Sequence, residues 1–187
     1  MNVYDLNRSR RTVRKFTQSP VPRELLMRLV DAARVSPSGS NLQPLRYRIV
    51  DKKQECDTLF QYLKWAGYLP DGTPKEDERP TAYIIVAQDL TRRQTDAHYD
   101  AGAAMMAMTL CAQEEGVSSC WIGSVDRKAV GDMYGLDKNI QILLVLALGY
   151  PAQESVDEEL TDESVRYWLD DAGVLHVPKR SMEDILF

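Results

Sequence analysis

The stretch "IQILLVLALGYP", residues 140 to 151, constrains the fold more than any other part of the chain. From Ile142 to Leu148 every residue is apolar. No solvent-facing side alternates with a buried one, so the segment reads as a central strand covered on both faces. Packing elements are therefore required above and below one sheet. This is also the longest apolar run, and it falls far short of the ~20 residues of a membrane helix. No membrane association is expected. The N-terminus lacks the apolar stretch of a signal peptide, and a cytoplasmic location is expected.

The covering elements are legible nearby. "PRELLMRLVDAAR", 22 to 34, puts Leu25, Leu26, Leu29, Val30 and Ala33 on one helical face, with a proline suited to a helix start. "RYRIVD", 46 to 51, alternates as a half-buried strand, and Lys53 to Trp65 predicts a helix through Leu59, Phe60 and Leu63. "TAYIIVAQ", 81 to 88, is a strongly apolar strand. The pattern from about Thr95 to Glu115 predicts a long helix, apolar nearly all round, that stops at Gly116. Such a helix belongs in a core or a subunit interface. "SSCWIGSV", 118 to 125, then leads through an Asp126 cap into a short helix ending near Gly135. At 187 residues these elements make one domain, 1 to 187. Two segments read as exposed: 69 to 80, rich in Pro, Gly and charge, and 152 to 172, where eight acids face one cation.

Charge narrows the function. The formal net charge is -5, which disfavours nonspecific nucleic-acid binding. Against that balance, "RSRRTVRKF", 8 to 16, gathers five cations without an acid, and Lys179 and Arg180 form a second pair. Solvated decoration and a basic arm for polyanions are both open readings of these clusters. No GxGxxG or GxxxxGK[ST] is present, so any bound anion must be held by side-chain cations. The three cysteines have no CxxC spacing and, with two histidines, make no metal motif; they read as reduced and packed. Cys120 has no neighbour in sequence that would activate it as a nucleophile.

Six stretches together resemble the FMN-dependent nitroreductase family: "RRTVRKF", "SPSGSNLQP", "DAGAAMMAM", "GVSSCWIG", "LALGYP" and "PKRSMEDIL". They occur in family order over nearly the whole chain. The resemblance implies an α+β nitroreductase-like fold, a mostly antiparallel central sheet flanked by helices, and a homodimer with FMN at the subunit interface. It implies that Arg10 holds the phosphate, with Arg11 and Thr12 beside it, and that Arg14 reaches the pyrimidine edge of the flavin. Pro37, Ser38, Gly39 and Asn41 match the loop that the other subunit lays against the flavin. Ile122 and Gly123 match a segment whose backbone passes the ring, and Lys179 and Arg180 match cations that close on the phosphate. Two positions depart from the family, Ser36 in place of a common alanine and Leu45 in place of an aromatic residue.

The chemistry of these residue types agrees. A phosphate monoester carries about -1.5 to -2 charge, which guanidinium forks suit, and a fixed cation at the pyrimidine edge stabilises a reduced ring. A glycine at 123 admits close backbone approach. The expected activity is hydride transfer from NADH or NADPH through FMN to a small-molecule acceptor such as a nitroaromatic or quinone. No catalytic acid, base or nucleophile is required. Reductive dehalogenation, enone reduction, flavin degradation and a non-catalytic flavin carrier are alternatives on the same fold. Trp65, Tyr68, Trp121 and the 67 to 80 excursion are candidates for the acceptor side.

Overall fold

The computed structural model describes every residue except 162 and 163. Four antiparallel strands form the main sheet: β1 (Leu45–Val50), β2 (Ala82–Asp89), β3 (Ser118–Ile122) and β4 (Ile140–Gly149), in the order β1-β2-β4-β3. The apolar run is central, as its composition requires. Leu146 and Leu148 pack on one side with Ile84 and Val86, while Val145 and Ala147 face the other with Tyr83 and Ile85.

One face is covered by α2 (Arg23–Arg34) and α4 (His98–Glu114), through Leu26, Leu29, Met105 and Met108, all fully buried. The other is covered by α3 (Lys53–Phe60) and α5 (Arg127–Tyr134), through Leu59, Phe60 and Val130. Some boundaries have a local cause. Asp126 accepts a hydrogen bond from the Ala129 N–H, capping α5, and Gly135 ends it at φ 57°. Gly149, the last residue of β4, makes room for Phe16, whose ring a Cβ there would approach to 2.8 Å. On α4, Ala103, Met106, Ala107 and Leu110 are only half-buried, so its outer apolar side is not fully covered within one chain.

Two sequence expectations need correction, and one element was not foreseen. The helix from Lys53 stops at Phe60, not Trp65, because Leu63 pairs with Val125 and Lys64 N–H donates to the Ser124 carbonyl. Tertiary pairing there outweighs helical periodicity. A further helix, α1 (Val3–Ser9), capped by Asn2, leads into the basic stretch and carries Arg8 in its last turn. The acidic segment is not simply solvated: β5 (Ser155–Glu159) pairs with β7 (Leu175–Lys179), and β6 (Trp168–Leu169) joins on the other edge of β7. Among the described residues Asp157 pairs with Arg8 and Arg11, and Glu158 and Asp170 face His176. The chain ends with α6 (Met182–Ile185). Among the described residues no helix is long and apolar enough to cross a membrane.

Candidate functional site

The basic stretch runs along the outer edge of the main sheet. Thr12 pairs with Ser119 of β3, and the Val13 N–H donates to the Ser119 carbonyl, fixing the backbone between Arg10 and Arg14. From the other direction β7 brings Lys179 to the same place. Arg10, Arg11, Thr12, Arg14 and Lys179 line one pocket of about 140 Å³, with Tyr167 and Val177. Residues from opposite ends of the chain thus converge, five of the twelve expected from the sequence.

The cations in this pocket differ. Arg10 is half-buried, its Nε is buried without a hydrogen-bond partner, and among the described residues it makes no ion pair. Burial, then the neighbouring Arg11 charge, pull its pKa below the usual guanidinium value. An anion would relieve both penalties. Arg11 is already engaged, donating to the Arg10 carbonyl and to Asp157, so its charge is largely matched inside the protein. Arg14 lies 4.6 Å from the centroid of the Tyr167 ring, a cation–π geometry. Arg180 lies outside the pocket lining and donates to the Asp184 carbonyl. Arg8 and Lys15, the two cations of the basic stretch to which the family resemblance gives no role, pair with Asp157 at 3.4 Å and Glu78 at 2.9 Å.

The glycine-containing loop is elsewhere. Pro37 and Ser38 line a second cavity of about 420 Å³ with Arg34, Arg46, Tyr47, Arg92 and Asp100. The loop carries left-handed backbone at Ser40, Asn41 and Gln43. Within one chain it does not contribute to the cation pocket. Ile122 is buried among the residues under β3, which leaves only its backbone for a ligand. The space where a Cβ of Gly123 would stand is open, so nothing within this chain demands glycine there. Its carbonyl accepts from Arg127 Nη2 at 3.0 Å, and the same guanidinium ties down the carbonyls of Ile142 and Leu143.

The 67 to 80 excursion lines a third cavity, of about 470 Å³, in which Leu69 to Thr73 stand across from Arg14 and Gln153. Tyr68 is half-exposed and packs on Tyr167 at 4.9 Å between centroids. Trp65 is buried against Phe60, and Trp121 donates to Thr109 Oγ1 at 2.8 Å. Trp65 is thus core. Burial pushes the Cys56 thiol up to about 12 and raises Cys120 as well, so neither suits nucleophilic chemistry. Sequence reasoning missed Asp157 and Tyr167, whose acidic surroundings read as surface. It quoted Asp100 only as the start of a motif.

The sequence profile of the Nitroreductase family matches residues 8–150, most of the chain. The chain belongs to the Nitroreductase family. It is 27% identical over 161 residues to an Archaeoglobus fulgidus protein provisionally named NADH dehydrogenase/NAD(P)H nitroreductase, covering 82% of this chain and 88% of that one. It is 23% identical to iodotyrosine deiodinase of Thermotoga neapolitana, covering 88% of this chain and 97% of the relative. In structure it resembles a protein of Bacteroides thetaiotaomicron with the same provisional name as the Archaeoglobus one: TM-score 0.70, 24% identity, covering 86% of this chain and 92% of that one. The nitroreductase fold expected from the sequence is thereby borne out, with its antiparallel sheet flanked by helices.

Proposed function

We propose that this nitroreductase-family chain is an FMN-dependent oxidoreductase that takes reducing equivalents from NADH or NADPH and passes them to a small acceptor such as a nitroaromatic or quinone. The observation that carries the reading is Arg10: a half-buried guanidinium with an orphaned Nε, in a pocket of further cations, in a protein of net charge -5. Such a group calls for an anion. A relative in Vibrio harveyi named NADPH-flavin oxidoreductase, 24% identical over 160 residues, supports the choice of flavin and reductant.

FMN, when bound, supplies the two-electron chemistry that no side chain here offers. The residues of the chain bind and orient. Arg10, Lys179 and Arg180 would hold the phosphate, with Thr12 beside them. Arg11 takes a lesser part, because Asp157 already neutralises it. Arg14, steadied on Tyr167, would hold positive charge at the pyrimidine edge. Ile122 and Gly123 would offer backbone groups to the ring. The 140 Å³ pocket is smaller than the ~300–1,000 Å³ of typical small-molecule sites. A second copy in a homodimer would supply the missing wall through Pro37, Ser38, Gly39 and Asn41, and the half-covered side of α4 is consistent with such packing.

A second reading keeps this site and changes the acceptor to a haloaromatic, supported by the Thermotoga relative named iodotyrosine deiodinase. One experiment addresses both. The purified protein should be yellow, or become so with FMN, and anaerobic NADH or NADPH should bleach it. Reoxidation by a nitroaromatic but not by a halotyrosine favours the first reading, and the opposite result favours the second. A protein that acquires no flavin bands when FMN is supplied would overturn both.

A further inference from the structure

Asp100 stands in the first turn of α4 and is 5% exposed. A carboxylate this deeply buried needs partners, and it has three. Ser38 Oγ donates to Oδ2 at 2.7 Å, the Gly39 N–H donates to Oδ1 at 3.3 Å, and Arg93 Nη1 pairs with Oδ1 at 3.2 Å. The Ser38 hydroxyl also accepts from the Gln43 N–H at 3.0 Å, so one carboxylate holds both ends of the 38 to 43 turn. Arg93 is held in its turn by Gln88, a buried side chain that donates to the carbonyls of Arg93 and Thr95, each at 2.7 Å.

The turn so held is strained. Ser40, Asn41 and Gln43 have φ of 51°, 54° and 49°, a region that residues with a Cβ avoid. Strain of this kind persists only where the surroundings over-determine the shape. Gly39 packs closely on the same device: a Cβ there would lie 3.1 Å from Arg93 Nη1 and 3.7 Å from Asp100 Oδ1, crowding the ion pair. Asn41 Oδ1 accepts from Gln43 Nε2 at 3.1 Å, whereas Asn41 Nδ2 makes no hydrogen bond among the described residues and points from an exposed residue.

We infer that Asp100 is a positioning residue: through Ser38, Gly39 and Arg93 it fixes the 38 to 43 turn in the shape that presents Asn41 to FMN. The inference rests on the FMN reading above and revises one part of it. The Ser38 hydroxyl serves the anchor and does not contact the cofactor. The Asn41 amide is a free donor that the loop offers to a ligand.

Asp100→Asn, Ser38→Ala and the double variant test this in the full-length protein, with far-UV circular dichroism and thermal unfolding to verify folding. Without FMN, the Gly39 and Gln43 amides should exchange hydrogen at least about tenfold faster in Asp100→Asn than in wild type, since the variant removes the charge that holds Gly39 directly and Gln43 through the Ser38 hydroxyl. FMN titration should show Kd raised about tenfold, about 1.4 kcal/mol, with an altered visible circular dichroism of the bound flavin. The double variant should bind FMN no worse than Asp100→Asn alone, because both changes cut one linkage. Faster exchange with an unchanged Kd would overturn the positioning role, and so would losses that multiply in the double variant. Failure of the wild-type protein to bind FMN would instead overturn the cofactor reading and the positioning role with it, while the exchange rates still report on the anchor.

Discussion

The 10 to 14 segment and the 38 to 43 loop are both polar, and both belong to the candidate site, yet their polar groups are satisfied in opposite ways. At the loop a buried carboxylate collects a hydroxyl, a backbone N–H and a guanidinium, and the anchor of the strained turn is complete without a ligand. At the basic segment a buried guanidinium nitrogen has no partner, and the charge of a second arginine, Arg11, acts against it. The first arrangement is finished by folding; the second waits for an anion. Preorganised loops of the first kind lower the cost of ordering on binding, whereas unsatisfied cations of the second kind supply the driving force.

The sharpest way to break this comparison is Arg10→Ala. Charge-assisted hydrogen bonds are worth about 1.5–3 kcal/mol, so FMN affinity should fall about tenfold to a hundredfold by fluorescence-quenching titration. The apo protein should lose no stability, since the substitution removes a desolvated cation and its repulsion with Arg11. A lower apo melting temperature with unchanged affinity would place Arg10 with the loop, as a structural group.

Arg14→Ala separates the cation pocket internally. Its guanidinium is stacked on Tyr167 and is not the orphaned one, so phosphate binding should weaken less than for Arg10→Ala. The flavin's two-electron potential should fall, by about 30 mV for each tenfold change in the relative binding of its reduced and oxidised forms. Dye-coupled redox titration measures it. A large affinity loss at constant potential would make Arg14 a second phosphate ligand.

Much of this architecture is legible in the sequence, and the exceptions share a cause. The central strand, the α2 face, the Asp126 cap and the Gly135 stop are local signals that tertiary structure leaves alone. The truncation of α3 is set by Val125, more than sixty residues downstream, which no periodicity near Lys53 could announce. The site follows the same rule. Arg10, Arg14 and Lys179 are marked by charge against an acidic background, whereas Asp157 sits among other acids and is distinguished only by what lies across from it. Ser38 and Gly39 are legible as turn residues, but their anchoring to Asp100 spans sixty residues and depends on the fold.

The smallest effect probes how Lys179 is held. It ends β7, three residues after His176, whose Nδ1 faces Glu158 Oε2 at 2.9 Å and whose Nε2 faces Asp170 Oδ2 at 3.4 Å. The ring also stacks on Trp168, which donates to Glu158 Oε1. The Glu158 hydrogen bond raises the His176 pKa above the ordinary 6.5, against a lesser opposing effect of desolvation. A raised value in the folded state means that the charged ring stabilises the β5-β7-β6 sheet fully below pH 6.5, and that this contribution is lost as pH rises through the folded-state value. His176→Gln should therefore lower the melting temperature by at most a few degrees at pH 6, and the gap to wild type should close by about pH 9. The 38 to 43 anchor of Asp100, Arg93 and Ser38 contains no histidine, so hydrogen exchange at Gly39 in the variant should match wild type at each pH. A gap that widens with pH would reverse the assigned sign. A change at Gly39 would mean that the two regions are coupled and not independently built.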